Sequence, residues 1–271
     1  MEIKSLLHSS IEDALTAMNE GFQDYSVEIQ MTADTFIQTL ASKKLSPEYS
    51  FVVYDGAKPV GIILNSIQPI DGKLTAYNGG TAVHPDYRGR GVGRELIQMS
   101  EDLFKEKKVE VSTLEAISDN KGAIRLYEKY GYVVYDRLST MRMMFEKSGG
   151  APYTVKLVSL YDWMELGVIK EPVPWQNKIA FVDRREIYAI KDEGDTLGYV
   201  VLNQQSKHTL TLFQLQAIDG KASYDLLLSS VEQHFSGYRV VAFNVPHKHP
   251  VYEVYKSRAP QQMIEQVWMK K

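Results

Sequence analysis

The sequence predicts an α/β (α+β) protein of two similar domains, each a mixed, mostly antiparallel sheet flanked by helices. Three observations carry that reading. Two apolar strand-like runs flank Asp55-Gly56, and a second Asp-Gly at 71–72 leads into a third, so hairpins precede the helical segments that follow. Ser148-Gly149-Gly150 then interrupts the chain near its middle. Beyond it the same order of strands and helices starts again, offset by about one domain length, as in a divergent internal duplication. The domains are expected at 1–147 and 152–271.

Met1 to Leu7 reads as a strand. Ser10 and Asp13 form a capping pattern ahead of Ile11, Leu15, Met18 and Phe22 at helical spacing, which predicts a helix to about Asp24. A second helix carries Phe36, Ile37 and Leu40 and stops before Pro47. Strands follow over Tyr49–Tyr54, Val60–Ile67 and Lys73–Val83. Val92, Leu96, Met99, Leu103 and Phe104 mark the buried stripe of a third helix. Val109–Leu114 is β-branched and reads as a strand, Lys121–Tyr130 as a helix closed by Gly131, and 132–145 as a long strand.

After the linker come a strand over Tyr153–Val158, a short helix over Asp162–Ile169 and a loop with Pro172 and Pro174. Two strands then turn at Asp192–Asp195, followed by a strand from Thr209 to Ile218 and a helix from Ala222 to Phe235. A strand over Tyr238–Val245, a helix over Val251–Lys256 and a strand over Met263–Met269 complete the order. Each half thus ends on a single strand where a closing hairpin would be usual. The 132–145 and 263–269 strands are therefore expected to complete or abut each other's sheets.

The chemistry concentrates at 80–94, where a strand ends, a Pro-Asp turn follows and a glycine-rich basic loop runs into the third helix. Backbone N–H groups at a helix start lack intrahelical partners and carry partial positive charge, so this junction is a natural anion site. Gly89, Gly91 and Gly93 permit close backbone approach, and Arg88, Arg90 and Arg94 add full charges. The junction reads as a pyrophosphate cradle.

Composition narrows the partners. The net charge is −3, divided as −4 over residues 1–150 and +1 over 151–271, so neither half carries the basic field that nucleic acid requires. Zero cysteines exclude disulfides, thiolate metal sites and a cysteine nucleophile. The opening residues contain no continuous apolar segment, so neither signal peptide nor membrane span is expected and a cytoplasmic protein is. No metal centre is expected either, because no other ligands are spaced to join His247 and His249.

With Thr81-Ala82-Val83-His84-Pro85 before it, the pattern Arg88-x-x-Gly91-x-Gly93 resembles the acetyl-CoA signature of the GNAT superfamily of N-acetyltransferases. Ser118-Asp119-Asn120 through Tyr127-Glu128-Lys129-Tyr130-Gly131-Tyr132 resembles that family's second motif at the right distance. The resemblance implies two GNAT-like domains with acetyl-CoA as cosubstrate and a small-molecule or peptide amine as acceptor. By that resemblance Thr81, Ala82 and Val83 present backbone groups to the pantetheine arm, and the loop of Arg88, Gly89, Arg90, Gly91, Val92, Gly93 and Arg94 holds the pyrophosphate. Asn120 and Tyr127, seven residues apart, face the cofactor from one side of a helix. Tyr127 resembles the general acid that protonates the departing thiolate, and Glu115 matches a position where some members carry the general base. Phe22, Asp24 and Tyr25 fall where the family places its acceptor-site lip, and Tyr77 lies on the strand before the cradle.

The second half carries only Ala217-Ile218-Asp219-Gly220-Lys221-Ala222-Ser223 at the cradle position, with no arginine and one glycine, so a degenerate copy is expected there. A CoA-binding sensor or scaffold is the alternative to an enzyme. The absence of a Gly-x-Ser-x-Gly elbow and of a Walker loop disfavours a hydrolase or kinase.

Overall fold

The computed structural model describes residues 1–24, 30–147, 152–165, 172–182, 184–218, 221–259 and 261–271. The chain forms two compact units. The first comprises Met1–Tyr135 together with Trp268–Lys271, and the second Asp136–Val267. This division differs from the boundary expected at the glycine-rich segment, whose residues 148–151 lie outside the described set, as does the expected helix end at Ile169.

The first unit runs β1 (Glu2–Ser5), α1 (Ile11–Gly21), α2 (Ala33–Ser42), β2 (Phe51–Asp55), β3 (Lys58–Ile70), β4 (Lys73–Val83), α3 (Val92–Glu106), β5 (Val111–Ile117) and α4 (Lys121–Lys129), then the first residues of β6 (Val133–Met144). Its sheet has the order β1-β2-β3-β4-β5, antiparallel throughout except for the parallel β4–β5 pair. Ser10 caps α1 by accepting from the Asp13 amide at 3.0 Å, as its spacing predicts. Helices α1 and α3 cover opposite faces. A Cβ on Gly61 of β3 would meet Val92 and Leu96 of α3, whereas one on Gly80 of β4 would meet Met18 of α1.

Burial departs from the expected stripes in detail. Ile11, Ile37 and Met99 are exposed, while Ile97 and Ser100 of α3 turn inward. Ser100 is buried because the Asn65 side-chain amide donates to its hydroxyl at 2.8 Å, and that hydroxyl in turn donates to the Leu96 carbonyl.

In the second unit the rest of β6 is followed by β7 (Thr154–Val158), α5 (Leu160–Glu165), 3-10 turns at Trp175–Asn177 and Ile179–Phe181, β8 (Glu186–Asp192), β9 (Asp195–Ser206) and β10 (Thr209–Ala217). Then come α6 (Tyr224–His234), β11 (Arg239–Pro246), α7 (Val251–Arg258) and β12 (Gln261–Lys270). The order β6-β11-β10-β9-β8-β7 repeats the first unit's pattern, again with one parallel pair, β10–β11. Among the described residues, no helix is long and apolar enough to cross a membrane.

The closing strands explain the interleaved division. Residues Leu138–Met144 of β6 pair with β11 inside the second unit. The end of β12 belongs to the first, where Ser112 of β5 and Lys271 exchange both backbone hydrogen bonds at 2.9 Å.

Candidate active site

The first unit opens a cleft because two adjacent strands part. Strands β4 and β5 pair only from Thr75↔Val111 to Asn78↔Leu114. The next residue, Gly79, is a bulge, since Leu64 of β3 faces Gly80 while Asn65 faces Asn78. Asn78 fixes the kink: its carbonyl oxygen accepts from the Gly80 amide at 3.1 Å, and its amide donates to the Thr81 hydroxyl at 2.9 Å. A Cβ on Gly79 would lie 2.6 Å from a Leu45 methyl carbon and 3.0 Å from the Tyr77 ring, so a larger residue here would displace those side chains. Past the bulge the edge of β4 over Thr81, Ala82 and Val83 faces a cleft of about 620 Å³ rather than another strand.

The cleft's far wall is α4 with the end of β5. Asn120, Ala123 and Tyr127 line it at helical spacing, with Gly122, Leu126 and Ile117 beside them. Asn120 also caps α4, accepting the Ala123 amide at 3.0 Å. Tyr127 is buried and meets Tyr132 edge-on, with ring centroids 6.0 Å apart. Sequence reasoning missed Ile117, Gly122, Ala123 and Leu126, although the helical period that carries Asn120 and Tyr127 contains the signal for three of them.

At one end, the cradle has the predicted backbone. Gly89 and Gly91 have φ of 75° and 96°, the left-handed region, and Gly91 is the N-cap of α3. Gly89, Gly91, Gly93 and Arg94 line the cleft, and a Cβ on Gly93 would press to 3.2 Å from Leu126. The three arginines differ in placement. Arg88 lines the cleft, but its guanidinium ties three elements together, donating to the Val83 carbonyl at 3.1 Å, the Gly21 carbonyl at 3.0 Å and the Asp24 carboxylate at 3.3 Å. Arg90 lies over the Tyr87 ring at 5.4 Å. Val92 is fully buried against the sheet, so its backbone alone stands at the helix start. Gly21 lines the cleft because α1 touches β4 there: a Cβ would come within 2.6 Å of the Ala82 Cβ.

Glu115, like Tyr77, is not among the described residues that line the cleft. It is inside β5, which continues to Ile117, rather than at the strand's end as the sequence suggested. It shares a face of β5 with Ile117 of the cleft wall. The buried Tyr77 hydroxyl donates to its carboxylate at 2.6 Å. Lys43, just past α2, is a neighbour that the sequence did not mark. Burial pushes its ammonium below the usual lysine range, and the charge of Glu115 opposes that shift. Of the expected acceptor lip, Asp24 lines the cleft and Phe22 caps the end of α1 without lining it, whereas Tyr25 lies outside the described residues.

The second unit repeats the frame and closes it. The parallel β10–β11 ladder ends at Leu212↔Ala242, and a bulge again follows at once, at Phe213. Where the first unit has Gly79 and Glu115 after its last pair, the second has Phe213 and Phe243, whose rings meet edge-on at 5.8 Å. The Asn177 side-chain amide bridges the two strands, donating to the Phe213 carbonyl at 2.8 Å and the Phe243 carbonyl at 2.7 Å. Gln214 donates to the Asn177 carbonyl at 2.6 Å, and Trp175 stacks on Phe181 with centroids 4.4 Å apart. The chain's own side chains thus occupy the mouth between the strands.

A mostly antiparallel sheet that parts at one bulge defines a class of α/β domain in which an unpaired strand edge and the free amides of a glycine-cradled helix start face one cleft, an arrangement suited to an anion. The family model described as "Acetyltransferase (GNAT) family" matches residues 11–132, all of them within the first unit. Among curated proteins, N-alpha-acetyltransferase 30 of Schizosaccharomyces pombe is 33% identical over 34% of this chain and 62% of its own. N-alpha-acetyltransferase MAK3 of Arabidopsis thaliana is 33% identical over 35% of this chain and 50% of its own, so the chain spans about half to three-fifths of these relatives. In fold, a GCN5-related N-acetyltransferase from Sphaerobacter thermophilus matches 100% of this chain and 95% of its own, with a TM-score of 0.69 at 14% identity.

Proposed function

We propose that the first unit is an N-acetyltransferase that moves an acetyl group from acetyl-CoA to a primary amine of a small molecule or peptide, and that the second is a degenerate, non-catalytic copy. One observation carries the reading: the unpaired edge at Thr81–Val83, the glycine-rich start of α3 and the buried Tyr127 line one cleft, and Glu115 lies two residues before Ile117 of its wall. The fit to acetyl-CoA rests on the backbone, since the left-handed Gly89 and Gly91 leave open space where a side chain would stand. The amides at the start of α3 would hold the pyrophosphate with Arg94 beside them, and the β4 edge would pair with the amide-containing arm. Acetyl-CoA supplies the activated thioester.

Glu115 takes the proton that the acceptor ammonium must lose before it attacks, directly or through a water. The phenol of Tyr127 returns a proton to the departing thiolate. Holding amine and thioester in line supplies most of the remaining acceleration. The names of the matched relatives favour the α-amine of a peptide within the acceptor class.

The test is CoA release from acetyl-CoA over a panel of small amines and peptides with free α-amines. Turnover is expected on at least one, and Tyr127→Phe is expected to lower kcat roughly a hundredfold with acetyl-CoA affinity retained. Binding of acetyl-CoA without turnover on any amine would instead support the sensor reading.

A further inference from the structure

We infer that Trp268, in the last strand of the chain, is a positioning residue for Glu115. Ser112 and Lys271 exchange both backbone hydrogen bonds, so β5 and the end of β12 form an antiparallel ladder. Three residues along β5 and three back along β12, that ladder sets Trp268 opposite Glu115 on the same face. The Trp268 indole N–H donates to the Thr113 hydroxyl at 2.7 Å, and this hydroxyl donates to the Met269 carbonyl at 3.1 Å.

Thr113 lies two residues before Glu115 on that face, and β4 supports β5 only as far as Leu114. Trp268 is 3% exposed, packs edge-on against Tyr135 with centroids 4.8 Å apart, and carries the Lys270 ammonium over its ring at 4.0 Å. From the point where β5 leaves β4, the backbone at Glu115 is therefore held by β12, while the Tyr77 hydroxyl of β4 holds its carboxylate. The indole does not line the cleft, so it acts through β5 and not on the ligand.

The inference rests on acetyl transfer at Glu115, and the experiment separates the two. Full-length Trp268→Phe, Thr113→Val, the double variant and Thr113→Ser are compared by steady-state kinetics and thermal stability. Trp268→Phe and Thr113→Val are each expected to lower kcat roughly tenfold with the KM for acetyl-CoA unchanged. The double variant should lose no more than either single, and Thr113→Ser, which keeps the hydroxyl, should stay near wild type. Losses that multiply, or a drop in stability with kcat intact, would overturn the positioning role. If wild type turns over no amine, the acetyl-transfer reading fails by itself. Hydrogen exchange at the Leu114 amide then decides: faster exchange in Trp268→Phe is expected, and an unchanged rate overturns the inference.

Discussion

Gly91 and Lys108 both hold positive φ, at 96° and 58°, and only one of them is a glycine. The first was legible: a glycine between a basic loop and a periodic helix announces a left-handed cap. Lys108 was not. It ends α3 with paired bonds, Lys108 N–H to the Lys105 carbonyl at 3.1 Å and Val109 N–H to the Phe104 carbonyl at 2.9 Å. That closure takes Val109 out of the strand its β-branched side chain suggested, and β5 starts at Val111 and reaches past Glu115. Arg88 was legible as part of the loop, but its three tethers depend on Gly21 and Asp24, far away in sequence. Lys43 carries no local signal at all.

His249 offers a pH test at the same scale. It is buried, its Nδ1 accepts the Val251 amide at 3.1 Å, and its Nε2 lies 3.1 Å from the Gln216 side-chain oxygen Oε1. Burial brings its pKa down to about 4. The unfolded chain, near 6.5, binds the proton more readily. The stability from keeping His249 neutral is therefore complete above about pH 6.5 and is lost as pH falls towards 4, by about 3 kcal/mol. Denaturant unfolding of wild type and His249→Gln at pH 7 and pH 4.5 checks this. The variant should lose less stability than wild type on acidification, and equal losses would refute the assignment.

At the scale of elements, both units use one device, a bulge placed immediately after the last parallel pair, and differ in what fills the opening. The sequence showed the strands and their order, since hairpin turns and apolar alternation are local. It did not show the bulges, because a bulge is a property of register between two strands and not of either alone. Nor did it show that Trp175–Asn177 form a bridging turn, which read only as part of a Pro-rich loop. Asn177→Ala should leave the Phe213 and Phe243 carbonyls without their donor and cost about 2–4 kcal/mol of stability, with acetyl-CoA affinity unchanged. Calorimetric titration alongside thermal unfolding measures both. Weakened acetyl-CoA binding would mean that the second unit takes part in holding the ligand.

For the whole molecule, the decisive feature is which residues make up each unit. A chain ending at Lys147 lacks Trp268–Lys271 and hence the partners of Ser112 and Thr113. It also carries β6 residues without β11 to pair them. Such a chain should be insoluble or unfolded, by circular dichroism and sedimentation, whereas a well-folded, active fragment would contradict the partition. Repeated order of elements made two units legible. Their interleaving was foreshadowed only by the single closing strand in each half.

That interleaving has a consequence in time. During synthesis, residues 1–135 emerge complete in sequence but short of one strand, and the residues that flank β5 follow roughly 130 positions later. At about 5–20 residues per second, the outer edge of β5 stands open for roughly 7–25 seconds. Throughout that interval the nascent chain displays an unpaired strand edge beside its future glutamate, and any strand-like segment passing by could pair with it. Completion of the sheet beside Glu115 thus waits on translation itself, and codon changes that slow the ribosome between positions 136 and 267 should raise the fraction of misassembled chains without altering a single amino acid.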